Sequence, residues 1–407
     1  MSTNQTATSS GVPFIGLPDL MRMAIKGIDL APLGSKLIEY AQQKPQAAEV
    51  WLDIATIFQL KQNRDFALAM QREALKLQRV FHQPAKRFPV RLRLLAIFGE
   101  GDLMANTPVE FLVENSDISL DMLYVTADFS PLDIQLQQLP AHDAIFVAIA
   151  ESEENRPLLH KVAEWLRMVT VPVFNRPEYI SRLSRDEVWE TFHDIDGISL
   201  PRTLRLPRDR LAELVQGGGQ ESLPDCTFPC IVRPVDSHAG QGLEKVDDLS
   251  ALERYLATHE EAVFFLAPFV DYRGEDGRFR KYRIVLMRGK PYLCHLAISQ
   301  HWMVHYLNAD MLRNADNRAE EAQRMTDFDQ TFAAHHAPAL QEIARRSGLD
   351  YLGIDCAETS DGRLLVFEID SNMIVHALDP EDIFRYKKAH MQVVFDAFQH
   401  MLADAIT

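Results

Sequence analysis

Three carboxylates interrupt two apolar segments near the C-terminus. Asp355 lies within Leu352–Ala357, and Glu368 and Asp370 lie within Leu365–Asn372. Both segments are rich in strand-forming residues, and Ser-Asp-Gly-Arg between them predicts a hairpin turn. Such a hairpin places Asp355 beside Glu368, with Glu368 and Asp370 on one face of their strand. Buried carboxylates are costly unless they are protonated, paired or bound to a cation, so these segments constrain the fold more than any other.

Two explanations suit these acids. Oxygen ligands on a rigid sheet suit Mg²⁺, which keeps several waters and completes its shell with substrate phosphates. Structural salt bridges are the alternative. Two other segments favour the metal, because each offers groups that bind phosphate.

The first of them is a strand that runs into a glycine-containing loop, Phe228–Gly242. The strand delivers Arg233, and Gly240 and Gly242 let backbone amides approach a ligand, as phosphate binding requires. His238 in the loop is either a further phosphate donor or a bystander. Taken alone, the loop is also compatible with a plain strand turn.

The second is a basic strand, Arg278–Arg283. Alternation puts Lys281 and Arg283 on one face and Arg278 and Arg280 on the other. The chain has 42 Lys and Arg against 58 Asp and Glu, a formal net charge of −16. That charge argues against nucleic acid and anionic membranes as partners. The basic strand, in contrast, is expected to form a local positive site that binds a small anion such as a nucleotide. A solvated edge strand is the alternative.

Strands alternate with helices from residue 89 to residue 175, which predicts a parallel α/β sheet. The predicted strands are Arg91–Phe98, Asp121–Val125, Asp143–Ile149 and Val171–Phe174, and the main helix is Asn155–Val169.

The segment from Leu17 to about Phe81 has a helical pattern. Within it, Glu49–Phe81 resembles one tetratricopeptide repeat, with its turn at residues 63–65. One repeat cannot bury its own face. These helices therefore either recruit a protein partner or self-associate, or they form an extension that packs on the rest of the chain.

Compartment and redox state follow from simpler features. The N-terminus is polar, without the apolar run of a signal peptide, and no apolar run approaches the roughly 20 residues of a membrane span. We therefore expect a cytoplasmic protein. Cys226, Cys230, Cys294 and Cys356 lack the spacing of a zinc site or a disulfide framework, so reduced thiols are expected.

Together these segments resemble the ATP-grasp superfamily, in particular RimK-type and glutathione-synthetase-type ligases. The resemblance covers most of residues 90–395 and rests on Gly197–Pro201, Phe228–Gly242, Arg280–Val285 and Leu352–Asn372. It implies an α+β fold in which two α+β subdomains hold ATP, preceded by a parallel α/β pre-grasp domain and, here, an all-α N-terminal extension. The expected boundaries are 1–88 for the tail and extension, 89–175 for the pre-grasp domain, 176–260 for the small subdomain and 261–407 for the large subdomain with the metal site.

The resemblance also implies roles for single residues. Asp355, Glu368 and Asp370 fall on positions that bind Mg²⁺, with Mn²⁺ as an alternative; Asp370 stands where Asn is more usual. Arg283 would face the γ-phosphate and the acylphosphate as a catalytic residue, and Asn372 would line the phosphate site.

The nucleotide-binding set implied by the resemblance combines the loop, the basic strand and the adenine hinge. Arg233 stands where a lysine is customary, and Arg185 is the cation nearest to a second missing lysine. The full set is Arg185, Arg233, His238, Gly240, Gly242, Ala267, Phe269 and Lys281.

The segment Ser299–Asn308 follows a predicted strand and is rich in imidazole and aromatic groups. It is a candidate pocket for the carboxylate or the acceptor, with His301, Trp302, His305 and Tyr306 as its side chains. Simple packing is the alternative for Trp302 and Tyr306.

The function implied is an ATP-dependent carboxylate–amine ligase that forms an amide bond through an acylphosphate and releases ADP. Its substrates would be a small carboxylate and an amine, with an amino acid or peptide as one candidate. One alternative is a nucleotide-binding regulatory or scaffold protein without turnover, which the arginines at lysine positions favour. Another is a carboxylate kinase or thiol ligase that shares the acylphosphate step.

Overall fold

A computed structural model describes residues 14–130, 139–218, 227–237, 240–305 and 308–406. Cys226, His238 and Tyr306, singled out above, lie outside these ranges. The chain has the mixed α+β fold that was predicted. It divides into two compact units, which are Met1–Ala150 with Pro157–Pro177 and Asn372–Thr407, and Glu151–Arg156 with Glu178–Ser371.

Four helices open the first unit: α1 (Leu17–Ile25), α2 (Ala31–Gln43), α3 (Ala48–Leu60) and α4 (Arg64–Leu77). The predicted hairpin is confirmed, since α3 packs along α4. Leu20 of α1 and Ile54 of α3 are fully buried in one apolar cluster. The carboxylate of Asp53 accepts hydrogen bonds from the backbone N–H groups of Ile15 and Gly16, both at 2.9 Å, and thereby holds the start of α1 against α3.

The helices pack on the α/β part of their own unit. Arg22 of α1 lies 2.5 Å from the carboxylate of Glu114. Gln71 of α4 accepts a hydrogen bond from the N–H of Gly101 at 2.8 Å and donates one to its carbonyl at 3.0 Å. These contacts agree with an extension that packs on the rest of the chain. The resemblance to a tetratricopeptide repeat, and a partner for it, stay predictions.

A five-stranded sheet in the order β1-β3-β2-β4-β5 completes the first unit. Its elements are β1 (Val80–Gln83), β2 (Leu92–Gly99), α5 (Val109–Leu112), β3 (Ile118–Val125), β4 (Ala144–Val147), α6 (Arg156–Leu166) and β5 (Val173–Phe174). The four predicted strands are confirmed as parallel neighbours. The expectation of a helix to about Phe81 is wrong, because Phe81 belongs to β1, an antiparallel edge strand on β3, and is fully buried there.

The second unit contains two sheets, and the first has the order β7-β10-β8-β9 with antiparallel pairs throughout. The elements in this part of the chain are α7 (Pro177–Ile180), α8 (Arg185–Phe192), β6 (Ile198–Ser199), β7 (Leu204–Pro207), α9 (Arg208–Glu213), β8 (Cys230–Pro234), β9 (Glu244–Val246), α10 (Leu249–Thr258) and β10 (Val263–Pro268). Val232, Leu252 and Phe264 are fully buried where α10 covers the sheet.

The other sheet of the second unit has the order β12-β11-β13-β14-β6. Its remaining elements are β11 (Phe279–Met287), β12 (Lys290–Ser299), α11 (Ala315–Asp327), α12 (Phe332–His335), α13 (Ala337–Ser347), β13 (Tyr351–Glu358) and β14 (Leu364–Asp370), and α14 (Lys387–Ala403) follows in the first unit. A single helix from about Asp327 to Ser347 was expected. The helix is interrupted because Pro338, which lacks an N–H, occupies the first turn of α13.

Cys230, Cys294 and Cys356 are buried and form no disulfide among the described residues, which agrees with the expected reduced thiols. Within the described ranges, no helix has both the length and the apolar character needed to span a membrane.

Glu110 of α5 is a buried acid of the first unit. Its side chain is only 6% exposed, and within the described residues its Oε2 has no hydrogen-bond partner. Burial raises the pKa of Glu110 to about 7. The folded protein therefore keeps a proton on this carboxyl over a pH range in which the unfolded chain has lost it.

We expect the free energy of unfolding to fall as pH rises from about 4.5 to about 7, because the folded state binds more protons than the unfolded state in that window. Glu110→Gln removes this titration and should stabilise the protein above pH 7 by up to about 3 kcal/mol. Urea unfolding at several pH values measures the free energy of unfolding. Burial also raises the pKa of Asp53 to about 7, so the unfolding free energy of the variant should still depend somewhat on pH. Exposed Glu39→Gln is the control, and equal pH profiles for both variants would contradict the assignment.

Candidate functional site

Strands β11, β13 and β14 place two acids and a cation side by side in the second unit. In the sheet register, Asp355 is opposite Glu368 on one side and opposite Arg283 on the other. The pairing of Asp355 with Glu368, predicted from the hairpin, is confirmed. Asp370 lies half-buried at the end of β14, opposite Gly353.

Asp355 is 3% exposed and is held by two cations from β11. Arg283 donates from Nε to Oδ1 at 2.8 Å and from Nη2 to Oδ2 at 2.9 Å. Lys281 donates to Oδ2 at 2.9 Å, as expected for a residue two positions away on the same strand face. Burial acts to raise the pKa of Asp355, but Arg283 and Lys281 outweigh it and hold the pKa well below its usual range. Asp355 is therefore ionised at neutral pH.

Glu368 has its own cation. Arg185, at the start of α8, contacts the Glu368 carboxylate and donates to the carbonyl of Phe367 at 3.0 Å. Burial acts to raise the pKa of Glu368, whereas Arg185 and then Arg233 lower it, with a net lowering. Arg185 was expected to stand in for a missing phosphate-binding lysine, and in this structure it pairs with a predicted metal ligand.

Arg233 on β8 is a buried cation, 9% exposed. Its Nε donates to Oγ of Ser237 at 3.0 Å, and its guanidinium also contacts the Ser237 carbonyl. Burial and the nearby charge of Arg185 lower the pKa of Arg233 to about 9. An anion bound beside Arg185 and Arg233 would reduce the repulsion between the two guanidinium groups and offset the cost of burying Arg233.

The loop after β8 needs glycine at both expected positions. Gly240 and Gly242 have φ angles of +77° and +62°, which few residues with a side chain adopt. A Cβ at Gly242 would also lie 2.7 Å from Cδ of Pro234. The hydroxyl of Tyr255 donates to the carbonyl of Gly242 at 2.7 Å and fixes the loop from α10.

The predicted adenine hinge follows β10. Ala267 is opposite Ile231 in the register of β10 and β8. The N–H of Phe269 donates to the carbonyl of Pro229 at 2.9 Å. Phe269 can therefore offer a bound base its carbonyl or its ring, while its N–H already has a backbone partner.

Trp302 belongs to an aromatic cluster beside that hinge. Its ring meets the ring of Phe269 edge-on, with centroids 5.7 Å apart, and its carbonyl accepts a hydrogen bond from the hydroxyl of Tyr272 at 2.6 Å. Nζ of Lys245 lies 5.1 Å from the centroid of Phe269. These contacts agree with the alternative expected for Trp302, in which its ring packs against neighbouring side chains.

The structure brings His305, rather than His301, to the charged cluster. Burial, followed by the charges of Lys281 and Arg283, lowers the pKa of His305, so its ring is neutral at pH 7. His301 is exposed, and its N–H donates to Oγ of Ser299 at 3.0 Å.

The other face of β11 carries cations that are paired elsewhere. Arg280 lies 2.7 Å from the carboxylate of Asp276 and also contacts Glu320 of α11. Arg278 lies 2.6 Å from Asp276. The expectation that the whole basic strand gathers around an anion is therefore wrong for Arg278 and Arg280, because strand alternation turns them toward these acids.

Asn372 lies in the first unit. It is buried, and its amide nitrogen donates to the carbonyl of Met104. Its expected place at a phosphate site stays a prediction.

The acids of the cluster fit Mg²⁺ by their chemistry, because Asp355 and Glu368 are adjacent, ionised oxygen ligands. Each now has a cationic side chain as its partner, so a metal ion would share Asp355 with Arg283 and Lys281. Ser237 and Tyr255, which hold Arg233 and the glycine loop, were not predicted from the sequence. Ser237 could have been noticed, since it lies four residues after Arg233, but no sequence signal marked Tyr255.

No protein-family model matches the chain, and no curated protein matches it. Solved structures do match. A RimK-domain ATP-grasp protein from Sphaerobacter thermophilus is 16% identical, with a TM-score of 0.43 over 77% of this chain and 99% of that one. VanG D-Ala:D-Ser ligase from Enterococcus faecalis is 12% identical, with a TM-score of 0.47 over 79% of this chain and 100% of that one. Both likenesses are distant.

Asp355→Asn should destabilise the second unit, because it leaves Arg283 and Lys281 largely buried without their carboxylate. Loss of one partner from a buried ion pair costs about 3–5 kcal/mol. Urea unfolding at pH 7 measures the change. Asp361→Asn, on the exposed turn of the same hairpin, should cost within about 0.5 kcal/mol. Equal stabilities for the two variants would show that the ion pair contributes little.

Proposed function

We propose that the chain is an ATP-dependent ligase that joins a carboxylate to an amine through an acylphosphate. One observation carries this proposal: in the second unit, four cationic side chains interact with two adjacent ionised carboxylates, and one of these cations, Arg233, comes shortly before a glycine-containing loop. The cations are Arg185, Arg233, Lys281 and Arg283, and the carboxylates are Asp355 and Glu368.

This combination suits phosphoryl transfer. The transferred group spreads negative charge over several oxygens, and catalysis consists mainly of holding cations where that charge develops. Arg283 and Lys281 are already oriented by Asp355, and Arg233 is oriented by Ser237. They need little rearrangement when an anion enters, and that preorganisation is the main source of such catalysis.

Asp355 and Glu368, together with Asp370, would hold Mg²⁺, with Mn²⁺ as an alternative. The ion would supply positive charge that neutralises the phosphates. Arg283 would then contact the γ-phosphate and the acylphosphate. Arg185, Arg233 and the amides around Gly240 and Gly242 would hold the other phosphates.

The base of the nucleotide would lie at the hinge Ala267–Phe269. The N–H of Phe269 is hydrogen-bonded to the carbonyl of Pro229. The base would therefore contact other backbone groups of the hinge and the ring of Phe269. Trp302, which packs on Phe269, would support that ring.

His305 is the candidate base for the amine. Its lowered pKa keeps it neutral at pH 7, as a proton acceptor must be. When the amine nitrogen attacks the acylphosphate carbon, the new C–N bond forms, phosphate leaves with its bonding electrons, and His305 takes the proton from nitrogen. An amino acid or peptide remains the proposed substrate class.

A regulatory protein that binds nucleotide without turnover is the second candidate. The observation that favours it is that arginines stand at the two positions where the resemblance implies lysines. Arg185 pairs with Glu368, and Arg233 is anchored on Ser237. Guanidinium and ammonium groups bind phosphate with different geometry.

An ATP-consumption screen against pooled amino acids and peptides tests the proposal, with product masses read directly. We expect ADP and phosphate only when a suitable carboxylate and amine are both present. An acyl phosphate or a thioester as product would instead identify a kinase or a thiol ligase. ATP binding by calorimetry without ADP in any pool would support the regulatory alternative.

Glu368→Gln should lower turnover by at least roughly 10²–10³-fold, because it removes a charge that orients Arg185 and would hold the metal. Steady-state ADP release measures turnover, and calorimetry measures ATP affinity separately. Exposed Glu253→Gln on α10 is the matched control and should keep wild-type turnover. Full activity of Glu368→Gln would remove this carboxylate from the site.

A further inference from the structure

A second group of metal-ligating side chains lies in the second unit. One ring nitrogen of His335, one of His336 and one carboxylate oxygen of Glu358 lie within 4.8 Å of one another. His335 is the last residue of α12, His336 directly precedes α13, and Glu358 is the last residue of β13. The group therefore joins two helices to the strand that carries Asp355.

The distance between two of these ligand atoms suits one small ion. Nε2 of His336 lies 3.1 Å from Oε1 of Glu358, and a metal ion would take the place of the proton between these two atoms. Two ligands of a tetrahedral Zn²⁺ ion, each about 2.0–2.1 Å from the metal, lie roughly 3.3 Å apart. His336 is only 3% exposed, and its ring is held edge-on against Phe332 at a centroid distance of 4.6 Å. This ligand is therefore positioned before any ion arrives.

The neighbour of His335 determines which of its nitrogens is available. Nε2 lies 3.0 Å from the carbonyl oxygen of Gly362. A carbonyl only accepts hydrogen bonds, so Nε2 carries the proton of the neutral ring and Nδ1 carries the lone pair. Metal-bound histidines commonly donate their second nitrogen to a backbone carbonyl in this way. Nδ1 is therefore the nitrogen of His335 that is left available to a metal ion.

The charges of the group also suit a cation. Glu358 is the acidic member of the group. The two imidazole rings have centroids 4.6 Å apart, so an ion held by all three residues would bind two ring nitrogens and one carboxylate oxygen.

We propose that His335, His336 and Glu358 bind one transition-metal ion of the Zn²⁺ class, with water completing a four-coordinate shell. Two nitrogens and one oxygen suit Zn²⁺ rather than Mg²⁺, which prefers oxygen ligands alone. The ion ties the turn of the β13–β14 hairpin to the junction of α12 and α13. The site is independent of the ligase proposal, since it uses none of the residues assigned there.

The test uses the full chain, stripped of metal with a chelator and titrated with Co²⁺ and then Zn²⁺. We expect one equivalent of Co²⁺ with the visible absorption of a four-coordinate, nitrogen-ligated ion, its displacement by Zn²⁺, and a higher Tm with Zn²⁺. His335→Ala and Glu358→Gln should each weaken Zn²⁺ binding by more than the roughly 10–100-fold that loss of an outer-shell partner costs. His335 is exposed, so its variant is expected to fold.

Two controls separate this site from others. His400→Ala removes an exposed histidine of α14 and should leave Zn²⁺ affinity unchanged. Glu368→Gln should leave the Co²⁺ absorption unchanged, which distinguishes this ion from one at the carboxylates of β13 and β14. Absence of stoichiometric binding at micromolar metal, or binding that survives both His335→Ala and Glu358→Gln, would overturn the proposal.

Discussion

The ion pair between Arg283 and Asp355 is the interaction on which the second unit most depends. It joins neighbouring strands through two hydrogen bonds to a carboxylate that is almost completely buried. A buried charge that loses its partner is strongly destabilising, so neither residue can be replaced without a large cost. The pair of Arg185 and Glu368 extends the same principle from the sheet to α8.

In the proposed function these ion pairs would gain further partners. Arg283 and Lys281 would stay oriented by Asp355 and also reach phosphate oxygens, while a metal ion would share the carboxylates. The four cations outnumber the two carboxylates, so an anionic phosphate would offset the excess positive charge. Burial and the charge of Arg185 lower the pKa of Arg233 to about 9. A bound anion would stabilise the charged form of this guanidinium.

Local patterns predicted much of this fold and of the candidate site. The hairpin of Asp355 and Glu368, the parallel strands and the shared face of Lys281 and Arg283 all follow from alternation and turn chemistry. Partners that are distant in sequence could not be predicted. The contact of Arg280 with Glu320 depends on how α11 packs on the sheet. The short edge strand around Phe81 depends on its pairing with β3. Neither contact could be predicted from the local pattern of one sequence.

The return of α14 to the first unit has a consequence for the order of folding. Phe398 of this helix is fully buried against Phe146 of β4, with ring centroids 5.5 Å apart, and Gln399 donates to the carbonyl of Leu112 at 3.2 Å. Because a ribosome makes the chain from its N-terminus, the first unit emerges without this part of its core. The apolar ring of Phe146 lacks this partner while the second unit is synthesised, an interval in which nascent chains are prone to aggregate.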